Sequence, residues 1–201
     1  TAYYKKTDSE ESSSTSSDSS KTTASIQSAS DSLVESANTL LEKGTDSLFS
    51  KKDVTTANKD GTKVTSYGYD TNAIYDAVST FVDDYNSLVE NSAKSNNTNV
   101  LRQASSMTST TDTYSNLLAS VGITIDSENK LSIDEKTFKS ADMTTIKSIF
   151  NGTGSYAYNM SAKASQIDYY ATREAEKANT YDSSGTYSSS NSTGSIFTDY
   201  V

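Results

Sequence analysis

Apolar residues in IYDAVSTFVDDYNSLV, residues 74–89, fall at Ile74, Val78, Phe81, Tyr85 and Leu88, with spacings of four, three, four and three. Val82 and Val89 widen the stripe. The 3.6-residue turn of a helix gathers these positions on one face. Asp76, Asp83, Asp84, Asn86 and Glu90 occupy the other. A seam of this kind must be buried against further helices, in the same chain or in a partner. The pattern predicts a helix over residues 71–94, capped by Asp70 or Thr71.

Three more long helices are predicted. Residues 25–43 carry Ile26, Ala29, Leu33, Ala37, Leu40 and Leu41 on one side, with Gly44 in the position of a C′ residue. Residues 99–120 repeat the alternating spacing with Val100, Ala104, Met107, Thr111, Tyr114, Leu118 and Val121, and Gly122 closes the segment. The polar turn Asn96-Asn97-Thr98-Asn99 is short enough to make this helix and the preceding one antiparallel neighbours. Residues 155–179 place Ala157, Met160, Ala164, Ile167, Ala171 and Ala178 at three and four. Their small side chains imply close helix approach. Two short helices, opened by Asp134 and Asp142 as N-caps, present Phe138 and Ala141, then Ile146, Ile149 and Phe150, before Asn151-Gly152.

Two stretches alternate with period two instead. Val and Thr at 54–56 and 63–67 flank Asn58-Lys59-Asp60-Gly61, and Ile123-Thr124-Ile125 and Leu131-Ser132-Ile133 flank residues 126–130. Each is a small hairpin, near 54–67 and 123–133. Leu48 and Phe49 are expected to pin the first one to the bundle. The expected fold class is mainly α: a helical bundle or coiled coil over residues 25–179 with two small β-hairpins. Ser/Thr-rich residues 1–24 bury too little apolar surface to offset ordering and are expected to be disordered. Residues 180–201 form a low-complexity tail, with Ile196, Phe197, Tyr200 and Val201 as a terminal anchor.

Composition narrows the chemistry. The 201 residues contain no Cys and no His, which removes disulfides, thiolate ligands and the commonest general base and metal ligand. A net charge of −9 disfavours nucleic acid and anionic membranes. No apolar run reaches the ~18 residues of a membrane span. Asp126-Ser127-Glu128-Asn129-Lys130 departs from a calcium loop, since Lys130 and Leu131 stand where an oxygen ligand and a Gly belong. Asp83 and Asp84 are adjacent on a helix, do not face one another, and read as a solvated face. No GxSxG motif occurs, and a carboxylate-only glycosidase would need a cleft that the seams do not suggest. No catalytic, cofactor or metal site is expected. The fourteen tyrosines, Tyr67, Tyr69, Tyr169, Tyr170, Tyr181 and Tyr187 among them, supply either contact surface for a protein or glycan partner, or half-buried packing.

The order of pieces carries a resemblance. DGTKV in the first hairpin, FVDDYNSLV, a polar connector with VLRQASSM, then VGITIDSENKLSIDEKTF and IKSIFNG resemble the C-terminal conserved region of the flagellar filament cap protein (flagellar hook-associated protein 2) family. In that family an FV–YN–LV helix precedes a second helix, a hairpin of the pattern GI…G-L-x-x-D, an LF-x-G segment and a C-terminal coiled coil. The likeness spans residues 60–165, about half of the chain, and Asn129 stands where the family usually has Gly. The large middle domains of a cap have no counterpart.

The resemblance implies a non-enzymatic structural protein of the bacterial flagellum, cap-like or axial-associated. It would be exported to the extracellular filament without a cleavable signal peptide. Its implied partners are copies of itself or flagellin-like axial proteins, and an export chaperone, with no nucleic acid and no membrane insertion. The packing and assembly seam would consist of Ile74, Val78, Phe81, Val82, Tyr85, Leu88, Val100, Met107, Tyr114, Leu118, Met160 and Ile167. The alternative is a secreted adhesin or protein-binding regulatory module with no flagellar role.

Overall fold

The computed structural model of the chain describes residues 18–57 and 61–180. Seven helices and two antiparallel two-stranded sheets make up these residues. In chain order they are α1 (Ser20–Leu41), β1 (Lys52–Ala57), β2 (Lys63–Gly68), α2 (Thr71–Ser92), α3 (Thr98–Thr113), α4 (Ser115–Ala119), β3 (Ile123–Ile125), β4 (Leu131–Ile133), α5 (Glu135–Ser140), α6 (Met143–Phe150) and α7 (Tyr156–Thr180). The mainly helical fold with two hairpins is the one the periodicities predict.

Helix α1 is the spine. Its contacts with α7 are the most extensive between any two elements, followed by those with α2. Small side chains explain this: Ala29, Ser30 and Ala37 on α1 and Ala157, Ala164 and Ala171 on α7 are all buried, and such residues let two backbones approach closely. Around them Ile26, Leu33, Leu40, Phe81, Tyr85, Phe150 and Tyr156 fill one continuous core.

Side-chain caps open four of the helices after α1, three of them at predicted positions. Asp70, Asn97, Asp134 and Asp142 each accept a backbone N–H from the first turn of α2, α3, α5 and α6. The first helix departs from expectation at both ends. It starts at Ser20 under a Ser19 cap, and the Asp18 side chain is buried, so the stretch expected to be disordered is ordered from residue 18. Asp18 accepts from the Ser95 hydroxyl and the Asn96 N–H, tying the start of α1 to the connector between α2 and α3. At its other end α1 stops at Leu41, and the residue that caps it is Asn151, whose Nδ2 donates to the Leu40 and Glu42 carbonyls at 2.6 and 3.2 Å. Gly44, with φ +78°, instead opens a 3-10 turn.

The helix expected over residues 99–120 is broken in two at Tyr114, where ψ is 0°. The Tyr114 hydroxyl accepts from Asn159 Nδ2 at 3.1 Å, which draws the residue toward α7. α3 packs chiefly on α7 and only lightly on α2. The strands of the first hairpin pair Lys52 with Gly68 through Ala57 with Lys63, longer than predicted, and Ile123 pairs with Ile133 in the second. Phe49 is buried and Leu48 partly so, pinning the base of the first hairpin. The predicted turn at residues 58–60, the Ala178 side chain, the tail anchor and Tyr181 and Tyr187 lie outside the described residues, as does the disorder expected of residues 1–17.

Candidate functional site

Eleven of the twelve seam residues are buried within one chain: Ile74, Val78, Phe81, Val82, Tyr85, Leu88, Val100, Met107, Leu118, Met160 and Ile167. Tyr114, the twelfth, is partly buried against the same core. The seam is therefore closed by the chain's own α1, α3, α6 and α7, which removes it as an assembly surface. Helical periodicity does not distinguish a seam closed within one chain from one closed between chains.

At its centre four aromatic rings meet edge to face or tilted. Phe81 lies 5.8 Å from both Phe150 and Tyr156, Phe150 lies 6.3 Å from Tyr156, and Tyr114 lies 5.3 Å from Tyr156. These separations suit the quadrupoles of aromatic rings. The polar end of the cluster is Thr111, whose hydroxyl lies 3.0 Å from the Tyr156 hydroxyl and 3.1 Å from the Met107 carbonyl it donates to. Burial pushes the Tyr156 phenol well above its ordinary value and that of Tyr85 up to about 12. Both stay neutral, and neither is poised for proton transfer near neutral pH.

The face of α2 expected to be solvated is divided. Asp76, Asp83 and Glu90 are exposed. Asn86 is not: its Oδ1 accepts the Leu131 N–H at 2.7 Å and its Nδ2 donates to the Leu131 carbonyl at 2.8 Å. One amide thereby takes both backbone groups of the first residue of β4 and fastens the second hairpin to α2. Asp84 turns toward α1, where burial raises its pKa, a hydrogen bond with Ser36 opposes the rise, and the charges of Asp83 and Glu35 add to it. Asp168 on α7 is raised in the same direction by burial and by Asp31.

The tip of the second hairpin is a polar turn. Asp126 Oδ1 accepts the backbone N–H groups of Glu128 and Lys130 at 2.8 and 2.9 Å. Asn129 adopts φ +63°, the left-handed conformation that Gly favours and that Asn tolerates best among other residues.

Five large hydrophobic side chains are exposed among the described residues: Val64, Tyr67, Leu117, Tyr158 and Tyr169. Val64 and Tyr67 share β2. Tyr158 and Tyr169 share α7, eleven residues and close to three turns apart, so they lie along one side of it. Arg173 donates to the Tyr169 hydroxyl at 3.2 Å and lies 5.8 Å from its ring. Tyr69 and Tyr170 are half-buried packing residues. Among the described residues no helix is long and apolar enough to cross a membrane, and no group of three acidic side chains is placed to hold a metal ion. No protein-family model, curated protein or solved structure matches the chain.

Proposed function

We propose that this chain is a structural protein of the bacterial flagellum, cap-like or axial-associated, that works outside the cell by assembling with copies of itself or with flagellin-like subunits. One observation carries the proposal: a succession of elements around FVDDYNSLV. The DGTKV hairpin precedes α2, and α3 follows it. VGITIDSENKLSI forms a hairpin docked on α2 through Asn86, IKSIF forms α6, and a long terminal helix closes the order. Tyr85 and Tyr156 are buried as neutral packing groups, which also favours a structural role over a catalytic one.

The test is assembly with axial protein. Purified chain is mixed with flagellin from the same organism and polymerisation is followed by light scattering, with labelled chain located on filaments by electron microscopy. The expected result is a changed rate of filament growth with label at filament ends or along their length. Unchanged growth with no label on filaments, together with full motility after deletion of the gene, would refute the proposal.

The outer side of α7 favours a second reading, a secreted adhesin or protein-binding module. Tyr158, Tyr169 and Arg173 give that helix an exposed aromatic and cationic line of the kind that contacts partner proteins. Loss of partner binding in Tyr158→Ala/Tyr169→Ala with flagellin polymerisation unaffected by the wild-type chain would favour this module.

A further inference from the structure

The first hairpin projects without support. Every described side chain of β1 and β2 is exposed apart from Val54 and Gly68, which are intermediate. Its anchorage is at the base, where Lys52 pairs with Asp70 at 3.5 Å and Lys51 lies 5.5 Å from the Tyr69 ring. Among the described residues no third strand pairs with it. A two-stranded ribbon alone is marginal in water, and its open edges present unpaired backbone groups to other strands. Natural edges are often guarded by proline or by charged side chains; this chain contains no proline, and the described residues of β2 include one charge, Lys63. Instead β2 carries two of the exposed apolar side chains, Val64 at 49% and Tyr67 at 74% exposure.

We infer that the edge of β2 pairs antiparallel with β2 of a second copy, making a four-stranded sheet across a two-fold axis at Thr65. The axis position follows from symmetry and side-chain pattern. In an antiparallel pair related by a two-fold axis normal to the sheet, one residue must face its own copy. Thr65 is one of the two middle residues of KVTSYG, and of the two it is the one whose placement on the axis sets Lys63 opposite the partner's Tyr67 and Val64 opposite the partner's Ser66.

Within the chain Thr65 pairs with Thr55 and Tyr67 with Asp53, and the two threonine hydroxyls are 2.8 Å apart. One face of the joined sheet then carries a row of four threonines, flanked on each side by a row Asp53, Tyr67 and the partner's Lys63. Asp53 and that lysine stand two strands apart, about 10 Å at the backbone. A lysine lying across the tyrosine ring spans much of that distance, so opposite charges approach and no like charges stand opposed. On the other face Val54, Ser66 and the partner's Val64 form a continuous row. Such an isologous contact is closed and uses the same residues from both copies. It does not depend on the flagellar proposal.

The test is sedimentation of the full chain over a range of concentrations, with helix content followed by circular dichroism. The wild type is expected to show a concentration-dependent monomer–dimer equilibrium. Lys63→Glu, which sets a carboxylate toward the other copy's Asp53, is expected to remain monomeric with unchanged helix content. The exchanged pair Asp53→Lys/Lys63→Glu is expected to dimerise again, which a damaged hairpin would not do. A wild type monomeric at every concentration, or a dimer indifferent to Lys63→Glu, would overturn the inference. So would an exchanged pair that stays monomeric.

Discussion

Phe81→Ala removes the ring on which the core converges. Phe81 is fully buried on the seam of α2, and its ring is edge to face with both Phe150 and Tyr156 at 5.8 Å. Those two partners come from α6 and the first turn of α7, so the space left by the substitution is bounded by three helices that cannot collapse independently. A Phe→Ala change in a packed core costs about 3–5 kcal/mol, through lost transfer free energy and the cavity left behind. Against a total stability of about 5–15 kcal/mol this is a large fraction. At about 2–4 °C per kcal/mol for a chain of this size, the melting temperature should fall by roughly 6–20 °C. Thermal denaturation followed by far-ultraviolet circular dichroism measures the shift, with Tyr169→Ala on the exposed side of α7 as a control expected to stay within ~0.5 kcal/mol of wild type. A melt unchanged by Phe81→Ala would refute the placement of the Phe81 ring at the centre of the core.

Four further outcomes follow from particular contacts. Asn86→Ala leaves both backbone groups of Leu131 without their partner and should cost about 1–3 kcal/mol in urea denaturation, with faster amide exchange in β3 and β4 before global unfolding. Gly122→Ala forces a side chain onto φ +81° and sets its Cβ 2.8 Å from Thr137 Cβ. It should cost more than Gly61→Ala, at φ +83° with nothing within 4 Å, where only backbone strain of about 1–2 kcal/mol applies. Asp18→Ala should raise amide exchange in the first turn of α1 and in residues 95–97 without raising that of α6, because it frees the Asn96 N–H and the Ser95 hydroxyl alone. Asp84→Asn tests pH linkage: a carboxyl whose folded pKa is raised holds more protons folded than unfolded, so its stabilisation is complete below the unfolded pKa and lost as pH rises through the folded one. The variant should therefore be more stable than wild type at neutral pH and lose that advantage as pH falls through the carboxylate range, as urea midpoints at several pH values would show. An advantage that grows on acidification would contradict the buried placement of Asp84.

Elements and caps were legible in the sequence because they depend on local chemistry. A 3.6 period, an Asp three residues ahead of an N–H, or an alternation of Ile and Thr acts over a few residues. What was not legible depends on long-range geometry. Asn86 falls on the polar side of α2 by periodicity, and only the arrival of β4 converts it from a solvated amide to a double clamp. Asp18 sits in a Ser/Thr-rich run whose composition argues for disorder, yet its carboxylate meets two donors nearly eighty residues away. Tyr114 continues the apolar spacing of α3, and the break there coincides with a hydrogen-bond partner on α7. The dominance of the α1 and α7 pair was visible only as an excess of alanine and serine, which marks close approach without naming the partner.

The closure of the seam within one chain changes where assembly must be sought. Phe81, Tyr85 and Met160 are committed to the fold, so substituting them should lower the melting temperature and affect association only through loss of folded protein. Lys63, Thr65 and Tyr67 are exposed on a hairpin outside the core, so substituting them should leave the melting temperature of the monomer, measured at low protein concentration, nearly unchanged. Stability and self-association then respond to separate residue sets. A self-assembling subunit has use for that separation if its joining edge is open in the single chain and complementary to a second copy. The edge of β2 meets both conditions: it is exposed in the single chain, and its pattern of Lys63, Thr65 and Tyr67 complements itself.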